Sequence, residues 1–287
     1  MDLSEIDFSD FTITIVGLGL IGGSFAIALR ELNPKKLLAI DIDEGVIKTA
    51  ENMGIIDKGY IDPKIPLEKS DIVITCIYPN LTVKFINDNM DNFKSGAIIT
   101  DTAGIKEKLI EEIYTCIRED IDFIGGHPMA GRESKGLAYA SKDIFNNANY
   151  LITPTDKNKK ENIDNIEKLI KAIGFKNIVK LGPRQHDEII AFTSHLPHIM
   201  ASALINSDSR RDTKFFVAGS YRDATRVAKI NSELWTELIM DNRNNTLKQI
   251  EIFENSIADF KKAIISNDKD SLKALFKKGC QKREELI

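Results

Sequence analysis

The sequence predicts an α/β fold: a doubly wound, mostly parallel sheet in the first part of the chain, followed by a region built from helices alone. Short apolar runs alternate with helical stretches up to residue 182, and no segment after that residue has the pattern of a strand. Strands that alternate with helices are typical of a parallel sheet covered on both faces. We therefore expect a sheet domain over residues 1–182 and a helical domain over residues 183–287.

Seven strands are predicted from apolar runs, several of them nearly continuous, as in strands that are buried on both faces. They cover residues 11–16, 36–40, 71–77, 97–100, 122–125, 150–153 and 178–181. Helices are predicted to begin near Gly22 and to cover 44–53, 81–89, 106–116 and 162–173, with Gly174 placed to end the last one. Apolar residues at three- and four-residue steps over 247–264 indicate one long amphipathic helix, and a shorter one begins near Leu272.

Composition and charge exclude several classes of protein. The net charge of −4 argues against a nucleic-acid-binding protein, which usually carries a basic excess. The three cysteines, Cys76, Cys116 and Cys280, form no disulfide or zinc pattern. The uncharged run 11–29 is near membrane-span length, but glycines and threonines interrupt it, and the N-terminus lacks the cationic start of a signal peptide. We expect a soluble, cytoplasmic protein that binds neither membrane nor nucleic acid.

A dinucleotide-binding fingerprint follows the first predicted strand and opens the first helix. The pattern GxGxxG is matched by Gly17-Leu18-Gly19-Leu20-Ile21-Gly22. Gly17 permits a tight turn, Gly19 lets the backbone approach a pyrophosphate, and Gly22 lets helix and strand pack closely. The helix N-terminus then offers free N–H groups to the phosphates. These features predict a Rossmann-type domain.

An acidic residue at the end of the second strand completes the fingerprint. Asp41 lies 19 positions after Gly22, where a carboxylate accepts hydrogen bonds from the ribose hydroxyls and repels a 2′-phosphate. The expected cofactor is therefore NAD and not NADP. Asp43 lies two residues on and competes for this role, but Asp41 is nearer the strand end and is preferred.

The histidines and two arginines form the remaining polar clusters. His127 follows a predicted strand, and His195 and His198 share the segment Ser194–His198. A metal site at the latter pair has no supporting carboxylate or HExxH pattern, and a structural role stays open for His186 and His195. Arg222 and Arg226 are four residues apart, so in a helix they share a face. That face is either a solvated charged surface or a site for a dianionic substrate, which Arg binds through bidentate contacts.

Four segments in this order resemble the prephenate dehydrogenase family, over about residues 11–245. They are GLGLIGGS at 17–24, GGHPMAG at 125–131, SHLPH at 194–198 and RDATR at 222–226, with Trp235 nine residues after Arg226. The resemblance implies oxidative decarboxylation of prephenate to 4-hydroxyphenylpyruvate, with hydride transfer to NAD. It also implies a homodimer formed through the helical domain.

The resemblance also implies roles for individual residues. His127 would take the proton of the substrate hydroxyl, for which an ordinary histidine pKa of about 6.5 is suitable and predicts an acid limb near pH 6–7. Arg226 would bind the ring carboxylate and His198 the side chain of the substrate. Glu133 and Asp223 would pair with the arginine near the entrance, and Arg222 and His195 join the group of expected substrate contacts.

One segment departs from the family pattern. Where members often carry DVGSVK, this chain has Asp101-Thr102-Ala103-Gly104-Ile105-Lys106. Gly104 therefore stands at the position of the family serine that touches cofactor and substrate. Thr102 is the candidate for a replacement hydroxyl near the cofactor.

Three rival functions remain. Arogenate dehydrogenase performs the same chemistry on a substrate whose side chain carries an amino group. A β-hydroxyacid dehydrogenase would use a catalytic lysine and would not share GGHPMAG. A non-catalytic NAD-binding regulator would have no reason to keep His127, His198 and Arg226 together.

Overall fold

The computed structural model describes residues 8–132 and 134–286, and it contains one eight-stranded sheet. The strand order is β3-β2-β1-β4-β5-β6-β7-β8, and the β6–β7 pair is antiparallel whereas the other pairs are parallel. The strands are β1 Thr12–Val16, β2 Lys36–Ile40, β3 Lys58–Tyr60, β4 Ile72–Thr75, β5 Ile98–Asp101, β6 Asp122–Pro128, β7 Asn149–Thr153 and β8 Asn177–Lys180. The strand order reverses between β1 and β4, which is where α/β sheets of this type bind ligands.

Helices cover both faces of the sheet and enclose two apolar cores. They are α1 Leu20–Arg30, α2 Glu44–Asn52, α3 Lys64–Lys69, α4 Pro79–Asp88, α5 Glu107–Ile113 and α6 Lys160–Ala172. Ile13, Phe25 and Phe145 lie in one core, and Val73 and Phe123 lie in the other. Gly174 has a φ of +106° immediately after α6, as its predicted role in ending that helix requires.

The region after β8 is helical throughout its described part. It consists of α7 Pro183–Ile190, α8 Leu196–Asn206, α9 Gly219–Thr225, α10 Ser232–Asp241, α11 Arg243–Ile265 and α12 Lys269–Glu284. The predicted fold class is confirmed, including the long helix α11. The short elements β3 and α3 were not predicted, because β3 has only three residues and α3 is largely polar with a central Pro66.

A π-helical turn joins α7 and α8 into one bent segment. The turn covers Ala191–His195, and Pro197 follows it in the first turn of α8. Proline has no N–H to donate to the preceding turn, and a wider turn before it accommodates the loss of that bond. His195 ends this turn and His198 follows in the first turn of α8, and both line a cleft.

The joined segment Pro183–Asn206 is the one helix among the described residues that is long and apolar enough to cross a membrane, by length and composition alone. Its polar residues His186, Asp187 and His195 are buried, and each is hydrogen-bonded within the protein. These residues attach one face of the segment to the protein, while 28% of its apolar window is buried and Phe192 and Leu204 are exposed. The uncharged run 11–29 noted in the sequence is divided between β1 and α1.

Candidate active site

A cleft of about 1110 Å³ lies at the carboxyl edge of the sheet, between the sheet domain and the helical region. The sheet domain contributes the fingerprint, the ends of β4 and β5, and His127 on β6. The helical region contributes the α7–α8 segment and the start of α10. The residues that line the cleft include Gly19, Cys76, Thr102, Gly104, His127, His195, His198, Arg226, Trp235 and Leu238.

Glycine is needed at the three fingerprint positions for different structural reasons. Gly17 has a φ of +90°, and a Cβ there would also meet the Cys76 carbonyl oxygen at 2.9 Å. A Cβ on Gly22 would come within 1.9 Å of the Gly17 carbonyl oxygen. A Cβ on Gly19, in contrast, would meet no protein atom within 4 Å, so that position is open toward the cleft. Gly19 is the N-cap of α1, and its open face is the cradle that a pyrophosphate needs.

Asp41 and Asp43 make different contacts. The Asp41 carboxylate accepts hydrogen bonds from Leu18 N at 2.7 Å and from Asp43 N at 3.0 Å. Asp43 caps α2 by accepting from Gly45 N at 2.8 Å and from Val46 N at 3.3 Å. Asp41 is therefore attached to the fingerprint loop, whereas Asp43 serves its own helix. This geometry favours Asp41 as the ribose-binding carboxylate.

A buried ion pair supports the loop that forms the cleft floor. Lys106 and Asp101 are both fully buried, with 2.7 Å between Lys106 Nζ and Asp101 Oδ2. Lys106 Nζ also donates to the carbonyl oxygens of Ala103 and Ile105. Asp101 accepts from Ala103 N at 2.8 Å and from Gly126 N at 3.0 Å. One carboxylate therefore holds both the loop after β5 and the strand that carries His127.

His127 is the first member of a chain of hydrogen bonds. Its Nδ1 lies 2.9 Å from His186 Nε2, and His186 Nδ1 lies 2.7 Å from Asp187 Oδ1. Asp187 also accepts from the backbone N–H groups of Lys106 at 2.8 Å and Glu107 at 2.9 Å, at the start of α5. The sequence motifs did not indicate His186 and Asp187 as site residues. A signal was present, because a His-Asp pair at the start of the helical domain can support a histidine elsewhere.

Burial sets the protonation of the histidines in the cleft. It holds the pKa of His127 well below the ordinary range, and the nearby His186 and Lys106 act in the same direction. Burial also lowers the pKa of His186 to about 2 and that of His195 to about 4. All three rings are therefore neutral at pH 7.

His195 and His198 pack against Trp235 on α10. The His198 ring stacks on the indole with 3.6 Å between centroids, and the His195 ring meets it edge-on at 6.1 Å. His198 Nδ1 lies 2.8 Å from the Ser194 carbonyl oxygen, and His195 Nδ1 lies 3.1 Å from Thr246 Oγ1. His195 Nε2 is buried and has no hydrogen-bond partner within the described part of the chain. Both rings are held rigidly in the cleft wall.

Of the two arginines in the RDATR segment, one lies in the cleft lining. Arg226 lines the cleft, whereas Arg222 and Asp223 are exposed and do not belong to the described cleft lining. The α-helix α9 ends at Thr225, and Arg226 begins a 3-10 turn that follows it directly. Glu133, the other predicted entrance residue, lies outside the described residues.

The departure at Gly104 has a packing explanation. A Cβ on Gly104 would lie 3.3 Å from Leu238 Cδ2 and 3.9 Å from His127 Cε1. A serine there would press on Leu238, which α10 inserts into the core beneath the cleft. Thr102, the candidate for a replacement hydroxyl, lines the cleft. Its hydroxyl donates to the Thr75 carbonyl oxygen at 3.2 Å.

Comparison with known protein families matches almost the whole chain. The model of the nucleotide-binding domain of prephenate dehydrogenase matches residues 25–179. The model of the dimerization domain of prephenate dehydrogenase matches residues 182–278. The chain belongs to the prephenate dehydrogenase family. The resemblance carried by the sequence motifs is confirmed, and the protein is a dehydrogenase.

Individual members of the family are similar over nearly the whole of this chain. Prephenate dehydrogenase of Lactococcus lactis is 31% identical over 96% of this chain and 77% of the relative. The structure of Aquifex aeolicus prephenate dehydrogenase in complex with hydroxyphenyl propionate and NAD+ has a TM-score of 0.89 at 28% identity, covering 97% of this chain and 99% of that one. Synechocystis arogenate dehydrogenase has a TM-score of 0.83 at 26% identity, covering 96% and 100%.

The glycine geometry predicts that two Gly→Ala substitutions fail in different ways. In Gly22→Ala the added Cβ meets a backbone oxygen, so we expect a loss of about 1–3 kcal/mol or more in the free energy of unfolding. In Gly19→Ala the Cβ meets only the space for the pyrophosphate. Its melting temperature should stay within a few degrees of wild type, while KM for NAD⁺ rises about tenfold, equivalent to about 1.4 kcal/mol. Thermal unfolding and cofactor titration measure the two effects. Unchanged NAD⁺ affinity in Gly19→Ala would contradict the assigned cradle.

Proposed function

We propose that the protein oxidatively decarboxylates prephenate to 4-hydroxyphenylpyruvate with NAD⁺ as hydride acceptor. The observation that carries this proposal is the position of His127: a neutral imidazole in the cleft that also contains the fingerprint. Membership of the prephenate dehydrogenase family supports both the substrate and the cofactor. We further propose that residues 1–182 bind the cofactor and residues 183–287 bind the substrate and the partner subunit.

His127 serves as the proton acceptor. NAD⁺, when bound, would supply the acceptor for the hydride that leaves the ring carbon bearing the 4-hydroxyl group. His127 takes the hydroxyl proton as that C–H bond breaks, and the neutral ring required for this is maintained by burial. Loss of the ring carboxylate as CO₂ then makes the ring aromatic, and the oxygen regains a proton as a phenol. The cofactor would be held by Gly17–Gly22 and Asp41, with Thr102 beside it.

The charged and aromatic residues of the cleft bind the substrate. Arg226 pairs with the ring carboxylate, because a guanidinium binds a carboxylate through two parallel hydrogen bonds. His198, held on Trp235, contacts the substrate side chain, and His195 lines the same wall beside it. Arg222, Asp223 and Glu133 are assigned to the entrance, where the first two are exposed in the single chain.

The protein is further proposed to act as a cytoplasmic homodimer. The matching dimerization domain supports self-association. The helical region also exposes large apolar side chains that a partner would cover, among them Leu204, Phe215, Phe216, Leu247 and Ile257. The three free cysteines are consistent with a reducing compartment.

A direct assay of four substrate combinations tests the proposed function. We expect NADH formation with prephenate and NAD⁺, and a much lower kcat/KM with NADP⁺, because Asp41 faces the position of a 2′-phosphate with like charge. Arogenate is tested beside prephenate. A kcat/KM that is higher with arogenate would reassign the enzyme as an arogenate dehydrogenase. Equal use of NADP⁺ would remove the role given to Asp41.

Substitution of the two principal residues should separate binding from chemistry. Arg226→Ala removes a charge-assisted bond worth about 1.5–3 kcal/mol, so KM for prephenate should rise about ten- to a hundredfold. His127→Asn keeps a hydrogen-bonding group but cannot accept the proton, so kcat should fall about 10²–10⁴-fold.

The pH profile of the wild-type enzyme provides the control for His127. Because burial lowers its pKa, His127 stays neutral below pH 6.5, and the acid limb of kcat/KM should lie below the range near 6–7 expected from the sequence. Activity is retained above that limb and lost as the pH falls through it. His127→Asn should lose the limb. A stable variant with wild-type kcat would show that His127 only braces its strand.

Light scattering measures the proposed assembly. At micromolar concentration we expect twice the chain mass of 32.2 kDa. Substitution of Phe215 and Phe216 by serine should shift the population toward monomer, because both side chains are more than two-thirds exposed in the single chain. A wild-type protein that scatters as a monomer would refute the dimer.

A further inference from the structure

Two buried residues of the helical region, His186 and Asp187, reach the candidate base through hydrogen bonds alone. His186 is fully buried and Asp187 is 2% exposed, so neither is placed to contact a substrate in the cleft. Their route to the chemistry runs through His127. We propose that His186 and Asp187 fix the tautomer of His127, with the proton on Nδ1 and the lone pair of Nε2 directed to the substrate hydroxyl. This inference rests on the proposed function of His127.

The direction of each hydrogen bond in this series follows from the contacts of Asp187, its last member. Oδ1 accepts the Lys106 N–H and Oδ2 accepts the Glu107 N–H, so both oxygens are occupied as acceptors at the N-terminus of α5. Burial raises the pKa of Asp187, but the N–H groups of Glu107 and Lys106 and the Lys106 charge oppose this and favour the ionised carboxylate. His186 Nδ1, at 2.7 Å from Oδ1, must therefore carry a proton and donate it.

The same logic carries one step further to His127. A neutral His186 that is protonated on Nδ1 has an unprotonated Nε2, which can only accept. His127 Nδ1, at 2.9 Å from it, must then be the donor. The remaining nitrogen of His127, Nε2, carries the lone pair. Burial keeps both rings neutral, which supports the assignment because protonation of His186 would reverse the bond.

This arrangement also stabilises His127 after it has taken the proton. Its Nδ1–H then donates from a charged ring, and hydrogen bonds from charged groups are about twice as strong as neutral ones. Asp187 supplies the negative charge at the far end of the chain. His186 and Asp187 are thus positioning residues, and they contribute most when the proton is on His127.

The tautomer can be read directly in the wild-type protein. The chain has four histidines, so long-range ¹H–¹⁵N correlation spectra of ¹⁵N-histidine-labelled protein are simple, and His127→Asn identifies the signals of His127. We expect Nδ1 of His127 to be the protonated nitrogen near pH 7. This measurement needs no substrate, so it stands even if the enzyme prefers arogenate. A wild-type His127 protonated on Nε2 would overturn the proposal without any further substitution.

A pair of substitutions at His186 tests the function of the hydrogen bonds from His127 through His186 to Asp187. In His186→Gln the amide nitrogen can donate to Asp187, which leaves its oxygen to accept from His127 Nδ1. This variant should keep the tautomer and a kcat within a few-fold of wild type. In His186→Leu the acceptor is lost, and kcat should fall about ten- to a hundredfold with little change in KM.

Lys108→Met is the matched structural control. Lys108 forms an ion pair with Asp241 at 2.5 Å across the same junction between α5 and the helical region, and it is not a member of the hydrogen-bond chain. Loss of kcat in this control equal to that in His186→Leu would assign the effect to the junction and overturn the proposal. Equal loss in His186→Gln with the tautomer preserved would overturn it too, because His186 would then be carrying protons. If His186→Leu does not fold, the wild-type spectrum and His186→Gln still decide.

Discussion

The carboxylate of Asp187 is the constraint on which the geometry of the cleft depends. The first N–H groups of a helix have no partner within the helix, and those of α5 are capped by a side chain from the other domain. The same carboxylate is hydrogen-bonded to His186, and His186 is hydrogen-bonded to His127 on β6. One group therefore connects the helical region to both the cleft loop and His127. Because Asp187 is buried, loss of any one of these bonds would leave a polar group without water to replace it.

A second buried charge completes the support on the sheet side. The Asp101–Lys106 pair is fully desolvated, and removal of one partner from such a pair typically costs about 3–5 kcal/mol. A buried pair contributes little net stability over an apolar replacement, so its value here lies in position. Asp101 connects the loop before α5 to Gly126, next to His127. Lys106 also places a positive charge near the histidines, which disfavours their protonation.

The parts of the site that the sequence predicted are those encoded by contiguous residues. The fingerprint lies within one strand–turn–helix unit, so the sequence pattern alone predicts a separate role for each of Gly17, Gly19 and Gly22. The preference for Asp41 over Asp43 follows from its place at the strand end, which is also local. The sequence leaves the role of His186 open because its partner lies 59 residues away along the chain, and a single sequence does not show that contact. The four-residue spacing of Arg222 and Arg226 does not show which of them reaches the cleft, and the structure has Arg226 in the cleft lining.

Burial also explains why the proposed base and the proposed substrate-binding charge are different residues. A ring buried well enough to stay neutral at pH 7 can accept a proton, but it offers no charge to an anion. The negative charges of prephenate must therefore be met elsewhere, and Arg226 is suited to this because a guanidinium remains charged in any protein environment. Its more exposed position at the cleft avoids the desolvation cost that the histidines bear. Leu238 extends the apolar environment on the other side, where it packs against Gly104 and leaves little room for a hydroxyl group beside the base.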